Sequence, residues 1–341
     1  MTNHSGTAAA LTEYWRLLRS RKKKMIKEII KTIEEGQNFL ITSHIKLDGD
    51  ALGSELALYL VLKDMGKRAV IYNQDETPDH YRFLPAAENI VHELADVKQF
   101  DAAFVLDCSE LERIGDKAGE ICKANKLINI DHHISNNGFS PLKLWDGRAS
   151  STGELIFRLF EEMSRKMNKD ICTNLYAAIL TDTGGFRYSN TSKNTLWAAS
   201  RLVENGADPQ WISENIYESD SPAKIRLLKK TLETLFLDFE NRVGSLVVTQ
   251  SAMRETGASY EHTEGLVDIP RSVKGISISI LYTQMENDYF KLSLRSKDKV
   301  DVEKIAKKFG GGGHMNAAAC RIKGDIETVK MEILRGIKET R

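Results

Sequence analysis

Apolar positions change their spacing repeatedly along the chain, and each change marks an element. From Met25 to Glu35, Ile26, Ile29, Ile30 and Ile33 recur at helical spacing, with Gly36 as the stop. Asn38 to Ser43 is a short apolar run that reads as a buried strand. Asp50 to Met65 returns to a helical pattern and ends before Gly66; Arg68 to Tyr72 is again a strand. Ala102 to Leu106 and Leu127 to Ile130 repeat the strand signal, and Ile171 to Leu180 the helical one. Strands alternating with helices predict βαβ units and a parallel sheet. Asn194 to Phe236 is helical throughout, with Pro209 and Pro222 as breaks. From Val243 the rhythm differs: strands over Ser245–Val248, Ile276–Tyr282 and Tyr289–Arg295 precede helices over Asp301–Lys308 and Glu327–Ile337. The expected fold is α/β, with a parallel β-sheet flanked by helices in an N-terminal domain (25–192). A helical connector (193–240) leads to a smaller C-terminal α+β domain (241–341).

Composition narrows what such a fold can do. In 341 residues, 41% are apolar and 28% charged, a globular balance with length for two cores. Lys plus Arg equals Asp plus Glu at 48 each, so no global basic field exists to hold long duplex nucleic acid. The basic residues from Arg16 to Lys27 read as a solvated helix face, and residues 1–14 as a frayed end. Cys108, Cys122, Cys172 and Cys320 form no C-x-x-C pair, which argues for reduced thiols in a cytoplasmic protein. No apolar run is long enough for a membrane span, and no signal-peptide core is present.

The chemistry gathers where predicted strands end. Ser43-His44-Ile45-Lys46-Leu47-Asp48-Gly49-Asp50 follows the first strand, Asp107 the strand over 102–106, and Asp131-His132-His133 the strand over 127–130. Asp182 ends the pattern that begins at Ile171. In open parallel sheets the carboxyl edge is where ligands bind. So many carboxylates and imidazoles, with only Lys46 and Arg187 nearby as basic partners, imply cations. Oxygen and nitrogen donors without thiolate suit Mn2+ or Mg2+, and there are too many for one tetrahedral zinc. Two ions about 3.5–4 Å apart would use the set and would serve phosphoester hydrolysis. Ser151 and Glu154 read as a helix capping box.

His44-x-x-x-Asp48-x-Asp50, Asp107, Asp131-His132-His133 and Asp182 resemble the four ordered motifs of the DHH phosphoesterases. Phe309-Gly310-Gly311-Gly312-Gly313-His314-Met315-Asn316-Ala317-Ala318 resembles the signature of the DHH-associated C-terminal domain, with Cys320 where that family commonly has glycine. The arrangement is similar to the nanoRNase/pAp phosphatase (NrnA-like) subfamily. The resemblance implies one ion held by His44, Asp48 and Asp107, and a second held by Asp50, Asp107, His132 and Asp182, with Asp107 as the bridge. It implies that His133 orients the phosphate or protonates the leaving group, with Asp131 placed to orient a ligand histidine. Gly311, Gly312, Gly313, His314 and Arg295 would hold the terminal phosphate or base of a short nucleotide chain in a cleft between domains.

The implied substrates are short single-stranded oligoribonucleotides, cut to mononucleotides, and 3′-phosphoadenosine 5′-phosphate. Cyclic or linear dinucleotides are the nearest alternative, and pyrophosphate or polyphosphate follows. A nucleotide sensor with an inactive site is the non-enzymatic alternative. A homodimer is compatible with the sequence.

Overall fold

The computed structural model describes residues 23–94, 96–238, 240, 242–285, 288–297 and 300–340. The expectations for residues 1–14, and for the basic residues before Lys23, fall outside them. The chain divides into two compact units, the first ending at Ser219 and the second starting at Asp220. That boundary lies within the stretch expected to connect two domains.

In the first unit, α1 (residues 23–35) buries Ile29 and Ile33. It leads into β1 (Asn38–Thr42), α2 (Gly49–Asp64), β2 (Arg68–Tyr72) and the two-residue β3 (Ile90–Val91). Then come β4 (Ala102–Leu106), the single-turn α3 (Ala118–Ile121), β5 (Leu127–Asp131) and β6 (Leu142–Trp145). Helices α4 (Thr152–Glu162), α5 (Lys169–Asp182), α6 (Lys193–Glu204) and α7 (Pro209–Tyr217) complete the unit. All six strands are parallel in the order β3-β2-β1-β4-β5-β6, so the winding reverses between β1 and β4. A crevice opens at such a reversal, beyond the carboxyl ends of the strands.

Both faces of the sheet are covered. Phe39 and Ile41 of β1 pack with Leu52, Leu56, Phe157 and Phe160 of the helices. Leu40, between them, points the other way and packs with Tyr72, Val105, Phe100 and Ile121. Helix α2 is buried on almost every side, which explains its lack of a polar stripe. Its contact with α5 depends on Gly53, where a Cβ would stand 2.3 Å from the Asn174 carbonyl oxygen and 2.9 Å from the Ala178 Cβ. Gly53→Ala should therefore destabilise the protein, although alanine is the better helix former. Overpacking of about 1–3 kcal/mol corresponds to a Tm drop of roughly 3–10 °C in a unit of this size. A thermal melt in which Tm rose would refute the close packing.

Two local readings need correction. Pro209 and Pro222 do not break helices but open them, at the first turns of α7 and of α8 in the second unit, behind the N-caps Asp208 and Ser221. Ser151 does cap α4, accepting from the Glu154 N–H at 3.0 Å. The Glu154 carboxylate, however, turns to the Ser150 N–H (3.0 Å) and hydroxyl (2.6 Å), so the reciprocal half of the box is not made.

The second unit contains α8 (Pro222–Leu232), β7 (Phe236–Asp238), β8 (Val243–Val248), α9 (Gln250–Thr256), α10 (Asp268–Arg271), β9 (Ile278–Gln284) and β10 (Tyr289–Ser296). These are followed by α11 (Val302–Lys307), β11 (Gly312–His314), β12 (Ala317–Lys323) and α12 (Ile326–Lys338). The sheet order is β11-β12-β10-β9-β8-β7, antiparallel except between β8 and β9. The glycine run is not all loop. Gly312–His314 is an edge strand on β12. A Cβ at Gly311 would stand 2.2 Å from the Ala319 carbonyl oxygen, and one at Gly313 (φ +144°) 2.4 Å from that of Ala317. Gly310 and Gly312 face open space. No helix among the described residues is long and apolar enough to cross a membrane.

Candidate metal centre

The centre is built where β1, β4 and β5 end. After Thr42 the chain turns through Lys46 (φ +60°) into Asp48, the N-cap of α2. Asp48 Oδ1 accepts from the N–H groups of Asp50 (3.1 Å) and Ala51 (3.0 Å), so it closes the helix end. Its Oδ2 points at His44 Nε2, 3.8 Å away. His44 Nδ1 donates to the Ile45 carbonyl at 2.8 Å, which fixes the ring and turns Nε2 inward. Asp107 follows β4 in the left-handed region (φ +53°), a conformation that aspartate tolerates and that bends its carboxylate back over the sheet edge.

The expected ligands converge. Asp107 Oδ2 is 3.3 Å from His44 Nε2, and its Oδ1 is 3.6 Å from His132 Nε2 and 3.5 Å from His133 Nδ1. His132 Nε2 also lies 3.7 Å from Asp50 Oδ2 and 3.5 Å from Asp182 Oδ2. Three overlapping groups have ligand atoms within 4.8 Å of one another: His44, Asp48, Asp107; Asp50, His132, Asp182; and Asp107, His132, His133. Asp182 arrives from the last turn of α5, which the Gly53 contact seats against α2. All of these residues belong to the first unit.

Asp131 takes a different partner from the one expected. Its Oδ1 accepts from His133 Nδ1 (2.7 Å) and the His133 N–H (3.2 Å), and its Oδ2 from Asn136 Nδ2 (2.5 Å). It therefore orients His133, not His132, because it closes β5 two residues before that ring. The Trp145 indole N–H donates to the His133 carbonyl at 2.8 Å and steadies the same residue.

The start of α4 is a participant that the sequence reading assigned only to capping. Asp50 Oδ2 accepts from the Thr152 N–H (2.7 Å) and Oδ1 from the Gly153 N–H (2.8 Å), placing a buried carboxylate on a helix N-terminus. The Thr152 hydroxyl donates to Asp107 Oδ1 at 2.9 Å, so one residue aligns two candidate ligands. A Ser-Thr-Gly at a helix start carries no signal beyond capping, and only the fold reveals the contact.

Crowding shifts the titration of the cluster. Burial, then the charges of Asp107, Asp182 and Asp48, push the Asp50 carboxyl well above its usual range. Burial likewise lifts Asp182 to about 7, though His132 pulls against it. Burial works against a charged His44, but its bond to Asp107 and the charges of Asp48 and Asp107 outweigh this and raise it to about 9. Burial also opposes ionisation of Asp107, yet its bond to His44 and the nearby His133 and His132 hold it well below the ordinary carboxylate range. Such a cluster compensates its charges with protons. Divalent cations could take their place, and the oxygen and imidazole donors fit hard or borderline ions.

The predicted substrate residues lie in the second unit. Arg295 stands on β10 opposite Ala317, with Lys291 opposite Arg321 and Ser293 opposite Ala319. This alternation puts basic and small residues on one face of the sheet. Gly311 precedes β11, and Gly312, Gly313 and the His314 backbone lie within it. The His314 side chain lies outside what the structure describes.

Comparison with known proteins agrees with these motifs. The description "DHH family, N-terminal domain" matches residues 38–179 and "DHHA1 domain" matches residues 244–340. A bifunctional oligoribonuclease and PAP phosphatase NrnA of Thermus thermophilus is 31% identical over 96% of this chain and 95% of its own. A Bacillus subtilis protein of the same name is 27% identical over 89% of this chain and 98% of its own. The crystal structure of an exopolyphosphatase-related protein from Bacteroides fragilis superposes with a TM-score of 0.90 at 27% identity, covering 93% of this chain and 96% of that one. RecJ of Thermus thermophilus, solved in complex with Mn2+, shares the fold at a TM-score of 0.51 and 11% identity, over 94% of this chain and 55% of its own.

Proposed function

We propose that this chain, which belongs to the DHH family of phosphoesterases and carries its N-terminal domain together with a DHHA1 domain, hydrolyses short oligoribonucleotides to mononucleotides and dephosphorylates 3′-phosphoadenosine 5′-phosphate. The observation that carries this reading is the set of overlapping histidine–carboxylate groups around Asp107. Two Mn2+ ions, or Mg2+ in their place, would be held by His44, Asp48 and Asp107 and by Asp50, Asp107, His132 and Asp182, and would supply Lewis acidity toward the phosphoryl group and the attacking water.

The chain's own groups do the rest. His44 and Asp48 are pre-aimed by their bonds to the Ile45 carbonyl and the α2 amides, and Asp50 by the α4 amides. As a water oxygen bonds to phosphorus, giving up one proton to solvent, and the P–O bond breaks, the leaving oxygen takes the proton from His133 Nε2, which solvent restores afterwards, while Nδ1 stays bonded to Asp131. Burial disfavours a charged His133, but its bond to Asp131 and the charges of Asp107 and Asp131 outweigh this and raise it to about 9, the direction that a proton donor needs. The second unit would hold substrate through Gly311–Gly313, His314 and Arg295. A net-neutral protein can then act on an anionic chain by gripping an end. The same reading places the protein in the cytoplasm, with its four cysteines as free thiols.

The test is a panel of 2-mer to 5-mer RNA, 3′-phosphoadenosine 5′-phosphate, and linear and cyclic dinucleotides, assayed with Mn2+ and with a chelator. Mn2+-dependent release of mononucleotides and phosphate, abolished by chelation, is the expected result. Cleavage of the dinucleotides alone would move the assignment to a dinucleotide phosphodiesterase. No ion-dependent release from any substrate would overturn it.

A further inference from the structure

Helix α5 ends at Asp182, and α4 begins behind its N-cap Ser151. One side chain outside both helices spans these two ends. Asn190 Nδ2 donates to the Asp182 carbonyl at 3.0 Å and to the Ser150 carbonyl at 2.9 Å. The first of these lies at a helix end, where carbonyls lack intrahelical donors. Two carbonyl acceptors set the orientation of the amide, because the reversed group would place oxygen against oxygen. Asn190 Oδ1 is left buried without a hydrogen-bond partner, so the amide leaves one atom unsatisfied while it holds both carbonyls. Both carbonyls belong to the candidate metal centre. Asp182 Oδ2 lies 3.5 Å from His132 Nε2, and the residues just after Ser150 supply the Thr152 and Gly153 N–H groups that hold Asp50. Asp50, His132 and Asp182 form one of the clustered groups. Close packing of the two helices is seen one turn earlier, at Gly153, where a Cβ would stand 2.5 Å from the Ala178 Cβ. Asn190 adds a fixed point at the last turn, where Asp182 sits.

We infer that Asn190 is a positioning residue for the second of the two proposed ions: by clipping the end of α5 to the start of α4, it sets Asp182 and Asp50 at the spacing that one divalent cation requires. Its donors go to backbone carbonyls, so it acts through the main chain of the ligands and adds no ligand atom. The group proposed for the first ion is fixed by other bonds, from His44 to the Ile45 carbonyl and from the α2 amides to Asp48. That group meets the start of α4 through the Thr152 hydroxyl on Asp107. The inference rests on the two-ion reading above and names a residue on which one ion depends more than the other.

Calorimetric titration of the full chain with Mn2+ tests it in Asn190→Ala, which removes both donors, and in Asn190→Ser, which keeps one and serves should the alanine variant unfold. The wild type should take two ions. In Asn190→Ala one of the two affinities should fall by about 10–100-fold, the usual cost of losing a group that orients metal ligands, while the other changes less; Asn190→Ser should lie between. Turnover of 2-mer RNA by the variant should be low at limiting Mn2+ and recover as Mn2+ is raised, with KM for the RNA unchanged. Two wild-type Mn2+ affinities in the alanine variant would overturn the inference, even where the wild type cleaves RNA as proposed. So would an equal loss at both sites, the mark of a general structural defect. Because ion binding is read without turnover, a wild type that takes two ions, one of them dependent on Asn190, yet cleaves no nucleotide would sink the proposed substrates and leave this inference standing.

Discussion

Asp107→Asn is expected to lower kcat by about three orders of magnitude or more while the protein stays folded. Asp107 belongs to two of the three overlapping groups, with His44 and Asp48 and with His132 and His133, and is the proposed bridge between the two ions. Removing its charge withdraws a donor from both, and several kcal/mol of stabilisation at 1.36 kcal/mol per tenfold gives that range. The fold should survive for identifiable reasons. Asparagine keeps the size of the side chain and tolerates the left-handed backbone at this position (φ +53°), and its amide oxygen can still accept from the Thr152 hydroxyl. The change also relieves the neighbours, because the Asp107 charge is among the causes that raise Asp50 and Asp182. Those two carboxylates should then ionise at lower pH. Calorimetric titration with Mn2+ should show weakened binding, and circular dichroism a native spectrum. Turnover near the wild-type rate would remove Asp107 from the bridging position.

Most of the centre was legible because its residues end strands, and a parallel sheet brings strand ends to one edge whatever the loops do. The spacing of His44, Asp48 and Asp50 works because Asp48 is an N-cap, which sends its two neighbours to different sides of the turn. What stayed hidden has physical causes. Thr152 and Gly153 act through backbone N–H groups, which every residue type possesses, so no residue choice marks them. β12 is rich in alanine and follows a glycine run; its strand state comes from pairing with β10 and β11, not from intrinsic preference. β3 is held by only two register pairs with β2, too short to show a period.

Asp131→Asn should produce the second large loss, with a signature distinct from the first. Asp131 is buried and belongs to none of the candidate metal groups, so Mn2+ binding should be retained. Its carboxylate is an acceptor only: Oδ1 takes the His133 Nδ1–H and N–H, and Oδ2 takes the Asn136 amide. An asparagine has one acceptor and one donor, so one of these sides would face donor against donor. Either the His133 ring loses the bond that fixes its tautomer, or Asn136 is displaced. With the charge gone, burial draws the imidazole down from its raised position, which the Asp131 bond and charge help to sustain. The sign follows directly. A general acid works in its protonated form, so activity is present below its pKa and lost as pH rises through it. The falling limb of the rate profile should therefore move to lower pH, and kcat at neutral pH should fall by about 10²–10⁴-fold, the usual worth of a positioned acid. A variant with unchanged pH dependence but weakened Mn2+ affinity would return Asp131 to the service of a ligand histidine and take the proton-delivering role from His133.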